Sequence, residues 1–254
     1  MERTTLCYTN SAATAQVRLL FVYYLDLLDI DFFLFLAFFS AVTLALVLGI
    51  AFHEFSHALS ASALGDQTAR RLGRVSLNPL VHLDPFGTLL LFVAGFGWGK
   101  PTPVNPYALR NGPRTGMAMV AAAGPISNLL IAAVLALPIR LGWTPWHNPF
   151  DAFTILGTAS WGAADYIGLF LSAGVLLNCI LGVFNLLPLA PLDGFKIWVG
   201  LLPIALARPI ARLEQYGMLI LMGLFFLGPF VGINFFGRVV LPAVNWIAST
   251  LTGV

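Results

Sequence analysis

The sequence predicts an all-α polytopic membrane protein with about five to six transmembrane helices and one re-entrant, β-hairpin-like segment after the first core helix. Hydrophobic residues make up 59% of the 254 residues and charged residues only 9%, whereas a soluble domain is typically about 25% charged. The mean hydropathy is +0.87. The few charges are also clustered, which leaves long uncharged runs between them. A soluble enzyme, a disordered chain and a coiled coil are therefore excluded.

The uncharged runs locate the predicted helices, because a membrane span needs about 20 apolar residues. Four runs are long enough, and the fifth is marginal. Residues 17–31 are apolar but contain three aspartates, and we predict a surface segment there, with a separate short hairpin as the alternative, before a long helix at about 32–64. We treat 1–254 as a single membrane domain with a core at about 32–200 and C-terminal transmembrane helices at 209–254. The uncharged runs are 32–53, 115–139, 166–192, 215–237 and 239–254.

Lysine and arginine predict which loops face the cytoplasm, because short cytoplasmic loops carry an excess of these residues. Six of the thirteen lie at 66–114 and three lie at 192–212, whereas 142–165 contains none. We therefore predict that 66–114 and 192–212 are cytoplasmic and that 142–165 is on the outer side. Three arginines do not fit this assignment: Arg3, Arg18 and Arg140.

The apolar segment 85–99 is too short to cross a membrane and has basic residues on both sides. Both flanks are predicted to be cytoplasmic, so the segment enters and leaves on one side. Its glycines and the prolines that follow favour two short runs about a bend, since irregular backbone is tolerated at membrane depth where protein or a wet cavity covers it. We predict a re-entrant hairpin, with a short kinked pair of helices as the alternative.

The chemistry of the chain is concentrated at the end of the first long helix, in the sequence His53-Glu54-Phe55-Ser56-His57. Side chains four residues apart lie on one helix face, about 6 Å from each other. Two imidazoles at this spacing can bind one Zn²⁺, and the glutamate between them can act as a general base. A charge in the bilayer core costs about 3 kcal/mol or more, so three ionisable groups here indicate a function. A pair of interfacial histidines is the alternative.

A catalytic zinc site needs a third protein ligand. His147 lies in the predicted outer loop, across the membrane from His57. His82 lies on the cytoplasmic side, but in a basic segment. Asp193 follows the run 166–192 and lies at a depth similar to that of His57. Its depth favours Asp193 as the third ligand. The alternative role is a helix cap or a turn, because Asp before Gly commonly forms a turn.

These motifs together resemble the site-2 protease family of intramembrane zinc metalloproteases. The resemblance combines H-E-x-x-H at 53–57 with N-x-x-P-x-x-P-L-D-G at 185–194, in that order on two helices. The sequence Ala-Gly-Pro-Ile-Ser-Asn at 123–128 is similar to the middle core helix of that family. The loop at 65–79 is similar to a compact prokaryotic branch, and we expect neither a PDZ nor a CBS domain. The resemblance covers roughly 45–200.

Residue by residue, the resemblance implies that His53, His57 and Asp193 bind one Zn²⁺ per chain and that Glu54 is the catalytic base. The implied activity is zinc-dependent endopeptidase cleavage of transmembrane-helix substrates near the cytoplasmic side, as in regulated intramembrane proteolysis. The implied partners are transmembrane proteins and the lipid bilayer. The implied location is the bacterial cytoplasmic (inner) membrane, with the active site toward the cytoplasm. A net charge of only +2 gives no reason to expect nucleic acid as a partner.

Two asparagines are candidate substrate-binding residues. The resemblance implies that Asn185, eight residues before Asp193, contacts the substrate backbone near the metal. Asn128 lies in the middle of a predicted span, where an amide needs a partner. Asn128 either bonds a neighbouring helix or lines the active site.

Three other functions use similar residues. A metal or solute transporter predicts inverted repeats and polar residues across several spans, and neither is visible in the sequence. A non-proteolytic scaffold is favoured by loss of Glu54 or of a ligand, and all of them are present. A prenyl-protein type of zinc protease takes a later glutamate as its third ligand, and the only glutamate after His57 is Glu214.

Overall fold

The computed structural model describes residues 31–94, 97–151 and 158–254. Apart from Asp31, the predicted surface segment at 17–31 therefore lies outside the described residues. The described part of the chain is predominantly helical. Its α-helices are α1 (Phe32–Ala63), α2 (Thr68–Arg71), α3 (Pro85–Ala94), α4 (Pro113–Arg140), α5 (Ala163–Asn185), α6 (Asp193–Leu201), α7 (Ile204–Ala211), α8 (Gly217–Met222) and α9 (Leu241–Thr252).

Short turns of 3₁₀ and π helix connect or extend these helices. Within the described ranges there is no β-strand, and the pairing of β type is one isolated antiparallel bridge between Leu83 and Gly99. The 3₁₀ turns are Pro79–Val81, Pro106–Ala108, Thr158–Ser160, Arg212–Tyr216 and Gly228–Val231, and the π turns are Gly223–Leu227 and Phe236–Val240.

Three helices of the described chain, α1, α4 and α5, are long and apolar enough to cross a membrane. They coincide with the first three predicted spans. The two later uncharged runs contain several short helical segments, from α8 to α9, in place of one long helix each. The predicted count of five to six spans is therefore not confirmed. Glycines recur in this region and weaken a continuous helix, among them Gly223, Gly228 and Gly232.

An aspartate cap at one end and a glycine at the other set the bounds of α1. The Asp31 side chain accepts a hydrogen bond from the Leu34 amide at 2.9 Å, which caps the first turn. At the other end, Gly65 has a φ of +113°, a conformation that side chains with a Cβ rarely adopt. The 32 residues of α1 span about 48 Å, which exceeds the hydrocarbon thickness of about 30 Å.

The helices α1, α4 and α5 pack against one another, α6 packs on α4, and α9 packs on α4 and α5. One apolar cluster joins α1 to α5 through residues such as Phe38 and Leu169. Another joins α4, α5 and α9. At Gly49 the helices α1 and α5 approach closely, since a methyl group there would lie 2.8 Å from the side chain of Leu181. Small residues allow such approaches between membrane helices.

The predicted hairpin at 85–99 is not confirmed, because Pro85–Ala94 form the helix α3. The helix begins in a way that sequence reasoning overlooked. The Asp84 side chain accepts a hydrogen bond from the Gly87 amide at 2.8 Å, and proline is favoured at the first helical position. The predicted Gly-rich bend includes residues 95–96, which lie outside the described residues.

The two ends of this segment nevertheless lie side by side. The Lys100 amide donates to the His82 carbonyl at 2.7 Å, next to the bridge between Leu83 and Gly99. This pairing is compatible with the prediction that the segment enters and leaves on one side of the membrane.

Cysteine labelling tests this topology. Leu80 and Tyr107 are 78% and 86% exposed and flank the segment, whereas Trp143 is 71% exposed on the predicted outer side. In a Cys7→Ser background, we expect an impermeant maleimide to label Leu80→Cys and Tyr107→Cys from one face of the membrane. Trp143→Cys, the control, is labelled from the other face. Labelling of the two flanking positions from opposite faces would show that 85–99 crosses the membrane.

Candidate active site

The predicted ligands His53, His57 and Asp193 lie together in the structure. Both histidines project from one face of α1, with ring centroids 4.6 Å apart and rings nearly perpendicular at 85°. The Asp193 Oδ2 atom lies 3.0 Å from His53 Nε2 and 3.1 Å from His57 Nε2. Each histidine is only 7% exposed. Residues that are 136 and 140 positions apart in the sequence are thus brought to one point.

The outer nitrogen of each imidazole is bound by α4. His57 Nδ1 lies 2.7 Å from the Val120 carbonyl oxygen, and His53 Nδ1 lies 2.6 Å from Asn128 Oδ1. A carbonyl only accepts hydrogen bonds, so His57 Nδ1 carries the proton. The Asn128 amide nitrogen donates to the Gly49 carbonyl at 3.1 Å, which turns its oxygen toward His53. His53 Nδ1 is therefore a donor too.

This tautomer has a consequence for the inner nitrogens. In a neutral ring with the proton on Nδ1, each Nε2 presents a lone pair to the Asp193 carboxylate. The two nitrogens lie 3.0 and 3.1 Å from Asp193 Oδ2, and lone pairs at these distances repel one another unless a cation, either a proton or a metal ion, lies between them. Two imidazoles and a carboxylate are a common zinc ligand set, and tetrahedral bonds of about 2.0–2.1 Å place neighbouring ligand atoms about 3.3 Å apart. The donor set therefore fits Zn²⁺ with a fourth position open.

Gly124 makes room for the two imidazoles. A methyl group at this residue would lie 2.5 Å from His57 Nε2 and 2.6 Å from His53 Nε2, well inside van der Waals contact at about 3.5–4.0 Å. Positions 120, 124 and 128 are four residues apart and share one face of α4. The sequence Ala-Gly-Pro-x-x-Asn thus supplies space for the ligand atoms and an acceptor for one of their rings.

We expect Gly124→Ala to weaken zinc binding by at least about tenfold, as is typical when the support of a metal ligand is disturbed. The added methyl group displaces both Nε2 atoms. Gly223→Ala is the matched control, because Gly223 is also helical and a methyl group there meets nothing within 4 Å. Zinc affinity is measured by competition with a chromogenic chelator. Equal affinity in Gly124→Ala and the wild type would show that the imidazoles do not occupy this space in the metal-bound protein.

Asn128 bonds His53 and the neighbouring helices, which is one of the two roles predicted for it; its role in substrate binding stays a prediction. Asn128 is 0% exposed, and its amide nitrogen also donates to Asn178 Oδ1 at 2.8 Å. Asn178 in turn donates to the Gly174 carbonyl at 2.8 Å. These amides join α1, α4 and α5 and fix the orientation of the His53 ring. Sequence reasoning missed Asn178, although an amide inside the uncharged run 166–192 was a visible signal.

A cavity of about 520 Å³ opens onto the three ligands. Glu54 and Asn185 both line it, as their predicted roles require. The Asn185 amide nitrogen donates to the Leu181 carbonyl at 2.9 Å. The Glu54 carboxylate accepts hydrogen bonds from Thr102, whose amide and hydroxyl both lie 2.8 Å from Oε2.

The two other histidines lie apart from this site. His82 is 0% exposed, and its Nε2 atom lies 2.7 Å from the Ser76 carbonyl. His147 lies 2.9 Å from Asp165 and stacks on Trp161 with ring centroids 4.3 Å apart. Asp193 is therefore the third residue that the fold brings to His53 and His57 within the described chain.

Comparison with known proteins identifies the family of the chain. The family described as "Peptidase family M50" matches residues 41–228. "Putative zinc metalloprotease YwhC" of Bacillus subtilis (strain 168) is 38% identical over 184 residues, which cover 72% of this chain and 79% of that protein. "Putative zinc metalloprotease Rip2" of Mycolicibacterium smegmatis is 30% identical over 179 residues, covering 69% and 62%. Rip2 of Mycobacterium tuberculosis (strain H37Rv) is 29% identical over 214 residues, covering 82% and 72%. No solved structure matches significantly.

The matched region, 41–228, contains both histidines, Glu54, the supporting face of α4 and Asp193. It also contains most of α1 and all of α4 and α5, so the site and the greater part of the three membrane-length helices lie within one family match. The three helices and the family together make this an integral membrane protein. The chain belongs to peptidase family M50, the site-2 protease family, and is a metalloprotease.

Proposed function

We propose that this metalloprotease is a zinc-dependent intramembrane endopeptidase that hydrolyses a peptide bond of transmembrane-helix substrates near the cytoplasmic side. One observation carries the proposal. The cluster of His53, His57 and Asp193 lies among three apolar helices of membrane-spanning length. A protease of soluble substrates has no need to place its charged groups there, where they are costly.

The depth of the site supports the cytoplasmic side. His53 follows the start of α1 at Phe32 by about 32 Å of helix, which is close to the thickness of the hydrocarbon core. The basic loops at 66–84 and 100–114 lie beyond this end of α1. A cationic loop region next to the site favours the cytoplasmic face of a bacterial inner membrane.

Different residues have different roles in the proposed hydrolysis of the peptide bond. His53, His57 and Asp193 would hold the zinc ion, which would supply a Lewis acid for the water and the scissile carbonyl. Glu54 accepts the proton of the attacking water and returns it to the leaving amine. The cavity admits water to this carboxylate. Asn185, in the cavity wall, is positioned to hydrogen-bond the substrate backbone.

The substrate must unwind before attack, because the carbonyls of a transmembrane helix are hydrogen-bonded within it. The extended residues after α3 border the cavity through Gly97, Gly99 and Pro101. An unwound substrate strand can add to such an edge through backbone hydrogen bonds. This step gives the enzyme a means to hold the substrate strand beside the catalytic site.

The experiment uses purified protein in liposomes that contain a designed Leu/Ala transmembrane peptide with a central Asn-Pro pair and a fluorophore and quencher at its ends. Quenched, fluorescently labelled casein in detergent is the soluble comparison. We expect both to be cleaved, and a zinc chelator to stop both reactions until zinc is restored. Cleavage of casein alone would contradict intramembrane proteolysis. Zinc transport into the liposomes without cleavage of either probe would favour the transporter alternative.

A comparison of cells identifies the natural substrates. Membrane proteins that accumulate intact with Glu54→Gln, and are shortened with the wild type, are the expected substrates of regulated intramembrane proteolysis. Cleavage within their transmembrane segments supports the proposal, and cleavage confined to their soluble domains contradicts it.

A further inference from the structure

The residues 99–105, here called the 99–105 segment, run past the catalytic carboxylate. Thr102 is the point of contact. Its backbone amide and its hydroxyl both donate toward Glu54 Oε2 at 2.8 Å, and the hydroxyl also lies 3.0 Å from the Glu54 carbonyl oxygen. One edge of the carboxylate is thereby fixed. The other oxygen, Oε1, receives no hydrogen bond from Thr102.

Proline on both sides makes Thr102 the sole backbone donor among residues 101–103. Pro101 and Pro103 have no N–H group, so the amide between them is the one that can reach Glu54. The prolines also fix φ and hold the backbone extended. A stiff backbone with one inward-facing donor is suited to hold a side chain in a fixed direction.

Arg74 anchors the start of the 99–105 segment. The Arg74 side chain is buried, with 5% exposure. Its guanidinium donates to the carbonyl oxygens of Lys100 and Pro101, and also to that of Val81 on the other flank of α3. No carboxylate in the described part of the chain forms an ion pair with it. A buried charge without a counter-ion is costly, and here it is retained to bind backbone carbonyls on both flanks.

Asp66 anchors the other end. It is 1% exposed and accepts a hydrogen bond from the Asn105 amide at 2.7 Å. Burial raises the pKa of Asp66, but hydrogen bonds from Thr68 and Asn105 outweigh this effect and leave the pKa below its usual range. The group is therefore an anion at neutral pH, and the 99–105 segment is held at both ends by buried, charged side chains.

We propose that the 99–105 segment positions the catalytic base, with Thr102 orienting the Glu54 carboxylate and Arg74 holding the segment in register. The inference rests on the proposed role of Glu54. Arg74 and Thr102 are positioning residues, since neither is placed to touch the reacting bond. Their loss misdirects Glu54 and leaves the three metal ligands in place.

The main test is Arg74→Lys, which keeps the charge but cannot bridge several carbonyls as a planar guanidinium does. We expect kcat for quenched casein to fall by about 10–100-fold, because a misplacement of about 1 Å costs up to 10²-fold. KM and zinc content stay close to the wild-type values. Arg70→Lys is the matched control, since Arg70 is exposed and its rate should change by less than about twofold.

A second pair of rates separates positioning from general destabilisation. Glu54→Asp shortens the side chain, so that it loses its contact with Thr102 but retains a carboxylate. In this background we expect Arg74→Lys to reduce kcat by less than about threefold, because residues that act through one group are not additive. If Arg74→Lys lowers kcat by the same factor in the wild-type and the Glu54→Asp proteins, the inference is overturned.

A Thr102 series keeps the inference testable if Arg74→Lys does not fold. Thr102→Ser keeps both donors and should have nearly the wild-type kcat. Thr102→Val loses the hydroxyl, and Thr102→Pro loses the amide donor as well, so kcat should fall in that order with zinc still bound. Equal rates across the series would refute the role of Thr102.

The same rates distinguish this inference from the proposed function. Wild-type activity in Glu54→Gln would refute the role of Glu54 as the base, and the inference would fall with it. An inactive Glu54→Gln together with full activity in Arg74→Lys and Thr102→Pro would refute the inference alone.

Discussion

Glu54→Gln is expected to lower cleavage of a membrane-spanning substrate by at least about 10²–10⁴-fold, the usual contribution of general acid–base catalysis. Glutamine has nearly the shape of glutamate, but it cannot accept a proton from the attacking water at neutral pH. Glu54 projects about 100° around the helix from His53 and is held by Thr102 instead of by the metal ligands. The variant should therefore fold, reach the membrane and retain zinc.

Two perturbations together separate the possible functions. A metal transporter or a scaffold that needs only the metal site would tolerate Glu54→Gln and fail in the presence of a chelator. The proposed protease fails under both conditions. Zinc content and rate are measured on the same preparation, with Arg70→Lys as a control for an unrelated charged residue. A zinc-loaded Glu54→Gln that cleaves at the wild-type rate would refute the mechanism.

Asp193→Ala is expected to abolish activity and to weaken zinc binding by more than about 100-fold, since even residues that merely support a ligand contribute about 10–100-fold. The change removes the anion that faces both Nε2 atoms at 3.0 and 3.1 Å. Purified wild type should hold about one zinc per chain. The metal content of the two proteins, measured after dialysis against a weak chelator, tests this.

His82→Ala is the comparison for Asp193→Ala. The sequence analysis considered His82 as a third ligand, because it lies on the predicted cytoplasmic side. In the structure its Nε2 atom lies 2.7 Å from the Ser76 carbonyl oxygen. Its removal should leave the metal content unchanged. Full zinc retention in Asp193→Ala, together with loss in His82→Ala, would reverse the ligand assignment.

The proximity of His53, His57 and Asp193 could be predicted from the sequence, because helix periodicity and membrane depth both restrict where these residues lie. The spacing of His53 and His57 fixes their common face on any helix, and the uncharged run fixes α1 itself. Asp193 was found because charged residues are rare at membrane depth. The assignment needed only its order and depth along the chain. The structure adds that Asp193 is the first residue of α6.

Features that depend on contacts between distant elements could not be predicted from the sequence. The predicted span 166–192 ends at Asn185 in α5, since Pro188 cannot continue the helix and restricts the residue before it. Glycine content suggested a hairpin at 85–99, but the cap by Asp84 and the apolar run that follows favour the helix α3. The contacts of Asn128 and Arg74 could not be predicted either, because most of their partners lie far away in the sequence. Asn128 bonds the His53 imidazole, and Arg74 bonds backbone carbonyls on both flanks of α3.

The metal site also ties the helices of the protein to one another. Its candidate ligands come from α1 and α6, and the residues that hold their imidazoles in place come from α4 and α5. An ion that binds only this assembled form stabilises it by linkage, by about 4 kcal/mol when free zinc exceeds its dissociation constant 1,000-fold. Helix association and catalytic competence thus share one equilibrium. A membrane in which free zinc is scarce would hold a protease that is both inactive and less tightly assembled.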